Sequence, residues 1–149
     1  MPLIPNASNM TLVHPKLSYK ITGLCFKAHR ELGRFCRERQ YADRLEELLK
    51  GAGLSYQREF EIKRLRSEAP DGNRVDFLID NKILLDLKAK NFITKEDYFQ
   101  MQRYLEAANL ELGLIINFRK IYLSPKRILN SHYHMNHSGH SDHSDEFGY

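Results

Sequence analysis

The chain has 149 residues, 42% of them hydrophobic and 28% charged, with a formal net charge of +4. That length suits one domain whose core needs no disulfide staples. The composition excludes collagen-like, coiled-coil and wholly disordered classes, and no apolar run approaches the roughly 20 residues of a membrane helix.

Residues 1–17 are punctuated by Pro and Asn and show no period, so they are expected to form a flexible arm ahead of a domain over 18–130. From Tyr19 to Leu32, the residues Ile21, Leu24, Cys25, Ala28 and Leu32 recur at helical spacing, and Gly33 is placed to end the helix. A second stripe, Tyr41, Leu45, Leu48 and Leu49, predicts a helix from about Phe35 to Lys50, closed by Gly51. The two stretches read equally as one helix bent at Gly33 or as two. The period then changes. Leu54, Tyr56, Arg58, Phe60 and Ile62 alternate with polar residues, which is strand spacing. Residues 67–73 (SEAPDGN) carry turn chemistry. Residues 74–79 and 82–89 are two further β-rich runs around Asp80-Asn81, predicted to form a hairpin. Thr94 and Asp97 have capping-box spacing and open a helix over about 95–109. Residues 112–118 read as a buried strand, and 121–129 as a last strand or short helix. The order α-β-β-β-α-β predicts an α/β fold, a mixed sheet flanked by helices.

The remaining signals are compositional. The N-terminus lacks a basic region followed by an apolar stretch, so no signal peptide is expected. Cys25 and Cys36 match neither a CxxC pair nor a disulfide framework, which suggests a reducing, cytoplasmic setting. The first 130 residues hold all 23 basic residues against 16 acidic ones, a balance that permits an anionic partner. Residues 131–149 hold five of the seven histidines, four of them at a spacing of three. They are expected to be a disordered tail, with a metal-binding tract as the competing reading.

The segment with chemistry runs from Arg74 to Lys88. Alternation puts Asp86 and Lys88 on one face of their strand and Leu85 and Leu87 on the other. Asp76, on the preceding strand, shares that face only if the turn between them has an odd number of residues or the hairpin carries a bulge. A two-residue turn at Asp80-Asn81 would set Asp76 opposite Leu85. An odd turn or a bulge is therefore predicted. Two carboxylates about 5 Å apart repel by roughly 3 kcal/mol at an effective dielectric near 20. A proton, a lysine between them or a hard cation relieves that repulsion, and oxygen ligands select Mg²⁺ or Mn²⁺ over zinc. Such a cation, with Lys88 beside it, is the equipment for phosphodiester hydrolysis.

Set between a helix and a helix–strand pair, the pattern of Asp76 followed by Asp86-x-Lys88 resembles the PD-(D/E)XK nuclease superfamily, and within it the small bacterial GxxExxY proteins. The likeness spans about residues 21–129. It rests on Ala28 to Gly33 (AHRELG), Glu38-x-x-Tyr41, Arg74-x-Asp76, Asp86-x-Lys88-Ala89, Gln100 with Tyr104-Leu105, and Leu112 to Phe118 (LGLIINF). Two positions depart: Phe35 stands where the motif's glycine belongs, and Asp86 where those proteins usually have Glu.

The resemblance implies a restriction-endonuclease-like core and a Mg²⁺- or Mn²⁺-dependent nuclease acting on DNA. The metal ligands would be Asp76, Asp86 and the Leu87 carbonyl, helped by a helix-borne Glu38. Lys88 would be the catalytic lysine, and Gln100 would position water or phosphate. Glu31 competes with Glu38 for the helix carboxylate, and Lys90 for a phosphate contact; Tyr41 and Tyr104 read as core or site-wall residues. A domain this small offers little surface to enclose a duplex, which leaves room for a homodimer or a protein partner. The alternative function is an inactive module that binds nucleic acid or protein on the same fold.

Overall fold

The computed structural model describes residues 12–63 and 73–134. Residues 67–72 of the turn predicted over 67–73, most of the N-terminal arm and the His-rich tract beyond His134 lie outside the described residues.

Helix α1 spans Pro15–Leu32 and buries Ile21, Cys25 and Ala28. It begins four residues before the predicted start, inside the segment read as an arm. Pro15 occupies the first turn, where a missing N–H costs nothing and the fixed φ suits a helix. Gly33, at φ 78°, ends it. That left-handed turn makes the two predicted helical stretches separate helices, because it is a conformation glycine adopts without penalty. Helix α2, Glu38–Gly51, buries Tyr41, Ala42, Leu45 and Leu49. The link between the helices is pinned by Tyr41: its hydroxyl donates to the Gly33 carbonyl and accepts from the Cys36 N–H. Arg44 in α2 grips Glu31 in α1 at 2.6 Å. Glu31 thus joins two helices and is taken away from any active-site role.

Strands β1 (Tyr56–Glu61), β2 (Arg74–Ile79), β3 (Ile83–Lys88), β4 (Leu112–Asn117) and β5 (Lys126–Leu129) form one sheet in that order. Helix α3, Lys95–Ala108, crosses from β3 to β4, which run parallel; the other pairs are antiparallel. The last predicted element resolves as a strand over its final four residues. Helices α1 and α2 cover one face, packing on Phe77, Ile79, Leu85, Leu87, Leu114 and Ile116. Helix α3 covers the other with Met101, Tyr104 and Leu105 against Leu78, Leu84 and Ile115. A central strand buried on both faces must be apolar at consecutive positions, which is why β3 and β4 read as continuous apolar runs. The expected mixed sheet flanked by helices is present, arranged as in a restriction-endonuclease-like core. Among the described residues no helix is long and apolar enough to cross a membrane.

The hairpin register answers the turn prediction. Phe77, Leu78 and Ile79 pair with Leu85, Leu84 and Ile83, leaving a three-residue turn of Asp80, Asn81 and Lys82. Asp80 and Asn81 both sit at φ 55°, and Asp and Asn tolerate the left-handed region best among residues with a side chain. In β1 the simple alternation fails. Tyr56 packs with the α1–α2 core, while Phe60 packs with the α3 core. The strand changes face at Glu59, whose φ is 53°. Val75, across from Phe60, likewise packs on the α3 side with Leu78 and not with Phe77. A positive φ at one residue reverses the pleat, and a two-residue period read from sequence cannot reveal it.

Candidate active site

The β2–β3 ladder stops at Phe77 and Leu85. One step further the strands part, and Asp76 occupies the gap. Its Oδ2 accepts a hydrogen bond from the Leu87 N–H at 2.7 Å, so the carboxyl replaces the missing ladder partner. The Asp76 and Asp86 carboxyls come within hydrogen-bonding reach of each other. Burial, then the Asp86 charge, pushes the Asp76 pKa up to about 8, against the opposing pull of the Leu87 N–H. The proton this favours belongs to the Asp76–Asp86 pair as a unit.

Lys88 stands beside this pair, its Nζ 2.9 Å from Asp86 Oδ2 and 3.6 Å from Asp97 Oδ1. Burial works against its ammonium, but the charges of Asp86, Asp97 and Glu38 outweigh that and raise its pKa. Glu38, the first residue of α2, reaches across the sheet so that its Oε2 accepts from the Ala89 N–H at 3.3 Å. A cleft of about 260 Å³ opens between α2 and strands β1 and β2, lined by Glu38, Arg39, Ala42, Arg58, Glu59 and Asp76. A wider hollow of about 560 Å³ lies elsewhere, by Tyr19, Leu114 and Pro125, and has no acidic lining residue. The carboxylates, not the volume, mark the site.

The backbone frees one more oxygen. The Lys88 carbonyl accepts from the Phe118 N–H on the β4 side. Consecutive carbonyls of a strand alternate in direction, so that of Leu87 faces the gap beside Asp76. Two carboxyls and a main-chain carbonyl are thus the oxygens that could hold a cation here. All are hard oxygen ligands, as Mg²⁺ and Mn²⁺ prefer, and Mg²⁺ commonly takes one or two carboxylates and keeps its waters. Among the described residues no three His, Cys, Asp or Glu side chains gather closely enough to hold a metal by themselves. Glu38 is accordingly a rim group on the Ala89 N–H, not a third member of the carboxyl pair.

Other candidates fall differently. Lys90 is not a free phosphate contact: it is held by Asp97 Oδ2 at 2.6 Å. Gln100 is half-buried, on the face of α3 that carries Asp97 and Tyr104, and has no hydrogen-bond partner among the described residues. The Tyr104 hydroxyl pKa is raised by burial and then by Asp86, which marks Tyr104 as a wall of the site. Tyr41 is a core residue stacked on Phe118 at 4.1 Å between ring centroids.

Two residues of consequence escaped the sequence reading. Asp97 closes the capping box, accepting from the Thr94 N–H at 2.7 Å, and also anchors Lys88 and Lys90. Burial opposes its charge, yet the hydrogen bonds from Lys90 and Thr94 overcome this and bring its pKa down to about 2. The capping spacing was visible, but nothing in it announced the lysines. Asn117 is buried at the end of β4; its Oδ1 accepts from the Lys90 N–H at 3.1 Å and its Nδ2 donates to the Lys90 carbonyl at 2.7 Å. Replacing Asp97 by alanine is expected to destabilise the fold by about 1–2 kcal/mol in a urea melt, since it removes the N3 half of the capping box and the carboxylate that Lys88 and Lys90 share. An unchanged midpoint would show that the box does not hold α3.

A half-buried carboxyl pair thus sits at the mouth of a splayed hairpin, with a lysine two residues beyond Asp86. The sequence profile of the PD-(D/E)XK nuclease superfamily matches residues 15–128, and the chain belongs to that superfamily. Its nucleases typically use divalent metal ions. Neither a curated protein nor a solved structure matches the chain.

Proposed function

We propose that the protein is a divalent-cation-dependent nuclease that hydrolyses phosphodiester bonds, with DNA as its substrate, and that it is one of the GxxExxY proteins. The observation that carries this reading is the pairing of Asp76 with Asp86 in the gap where β2 and β3 separate. Two half-buried carboxyls forced together raise the affinity of the pair for a proton, and a cation can take that proton's place. Asp76, Asp86 and the Leu87 carbonyl would hold Mg²⁺ or Mn²⁺; Glu38 would add negative charge at the rim. When bound, such an ion polarises a phosphoryl oxygen and lowers the pKa of a coordinated water. Lys88 places a positive charge beside Asp86, where it stabilises negative charge developing on the phosphate. Gln100, with a free amide on the same helix face as Asp97, is available to orient water or phosphate.

The second reading, an inactive binding module, is favoured by one observation. Glu38 is engaged by the Ala89 N–H and does not join the carboxyl pair. Calorimetry with Mn²⁺ and a cleavage assay on DNA and RNA separate the two. The nuclease reading expects one ion bound per chain and cleavage that chelation stops. Salt-sensitive DNA binding with neither ion uptake nor cleavage would establish the module instead.

A further inference from the structure

Beyond the carboxyl pair, the loops that leave β3 and β4 build a second surface. Asn117 Oδ1 accepts from the N–H groups of both Lys90 and Arg119, tying the two loops together, each two residues past the end of its strand. Arg119 and Arg34 exchange hydrogen bonds, each guanidinium donating to the other's carbonyl at 2.9 Å. His29 Nε2–H donates to the Lys120 carbonyl at 2.9 Å, so the Lys120 backbone is fixed to α1. The side chains thus held are basic and aromatic by turns. Arg34 stacks over Phe35 at 4.5 Å, and Lys120 lies 5.5 Å from the Phe92 ring centre. Phe92 is 70% exposed and Tyr122 is 85% exposed. Between the two loops and Arg34 opens a hollow of about 410 Å³, with Tyr122 on its wall. No ion pair among the described residues neutralises Arg34, Arg119 or Lys120.

We propose that this hollow binds single-stranded nucleic acid and leads an unpaired strand to the carboxyl pair. Three uncompensated cations fit a phosphate backbone, which their main-chain ties hold in register. Exposed rings of Phe92 and Tyr122 can stack only on bases that are not already stacked in a duplex, and every base has a face to offer. The outlet of parallel strands is also where open α/β sheets bind ligands. The proposal rests on the nuclease reading for what happens to the strand, but the binding itself does not.

The test is fluorescence anisotropy of labelled oligodeoxythymidylate, oligouridylate and a blunt DNA duplex, in EDTA so that nothing is cut. The full chain is expected to bind single strands at least about tenfold more tightly than the duplex. Phe92→Ala and Tyr122→Ala should each lose about tenfold in single-strand affinity, and Phe92→Tyr should retain it. Both positions are exposed, so folding is preserved, which thermal melts of the variants check. Lys120→Gln should lower the slope of log affinity on log salt by about 0.7, the share of one phosphate contact on a single strand. Comparing the thymidylate and uridylate arms decides whether the strand is DNA or RNA. Equal affinity for strand and duplex, or alanine variants that bind like the parent, would overturn the proposal, even if the parent cleaves with Mn²⁺. Strand binding that needs Phe92 and Tyr122, without any cleavage, would leave this surface standing and remove the nuclease reading.

Discussion

Lys88→Ala is expected to lower cleavage by about a hundredfold to a thousandfold while leaving Mn²⁺ uptake intact or tighter. The two effects separate because Lys88 is not among the oxygen donors. Its ammonium neutralises Asp86 at 2.9 Å and faces Asp97 at 3.6 Å, so its removal makes the carboxyl pair more negative and more attractive to a cation. What is lost is the positive charge available to the phosphate as negative charge builds up on it. Calorimetry and initial cleavage rates on the same preparations provide the measurement. Cleavage by the alanine variant at the parent rate defeats the assignment of Lys88; loss of both ion binding and cleavage makes Lys88 a structural support of the pair.

Asp76→Asn should inactivate the protein and, in the absence of metal, make it more stable at pH 8. The sign follows from the proton. The Asp76 pKa is raised from an ordinary 3.8 to about 8 by burial and by Asp86. Between those values the native state holds a proton that the unfolded chain has released, so native stability falls as pH rises across that window. Asparagine has no proton to lose. Its amide oxygen still accepts from the Leu87 N–H, and its NH₂ can donate to Asp86. The gain at pH 8 is on the order of a few kcal/mol. Urea melts of the metal-free parent and variant should diverge much more at pH 8 than at pH 5, since most of the window from 3.8 to about 8 lies between those two pH values. A variant that is the less stable of the two at pH 8 means that the carboxyl is not under strain in the native state. The same strain explains how a cation would act: by displacing the proton it would stabilise the fold as it organises the site.

How far the site could be read in advance varied with the distance each part depends on. The hairpin's odd turn followed from a local rule, because a one-residue change of register reverses every side chain. Asp86 and Lys88 sharing a face followed from alternation along one strand. The reach of Glu38 to Ala89 spans 51 residues of chain. Only the superfamily likeness suggested it, since the charged first turn of α2 looks like any solvated helix end. Asp97 looked complete as a cap, and its grip on Lys88 and Lys90 appeared only once α3 had docked on β3. The tie of His29 to the Lys120 carbonyl, a backbone group 91 residues away, has no local signal at all. Tyr41 and Phe118 were both legible as apolar, but their stacking, which fixes the start of α2 and with it Glu38, required the packed core.

By itself the sequence determined most of the elements, the need for an odd turn or a bulge in the hairpin and the pairing of residue types along β3, because these depend on periodicity and on backbone preferences within a few residues. Tertiary structure decided three other things. It parted β2 from β3 at Asp76, reversed the pleat of β1 at Glu59, and brought loops from three distant segments around one basic and aromatic hollow. Each of these is the outcome of burying two apolar faces at once. The energy of that burial comes from contacts between residues far apart in the chain, and it can hold a left-handed glutamate or two facing carboxyls that local preference would refuse.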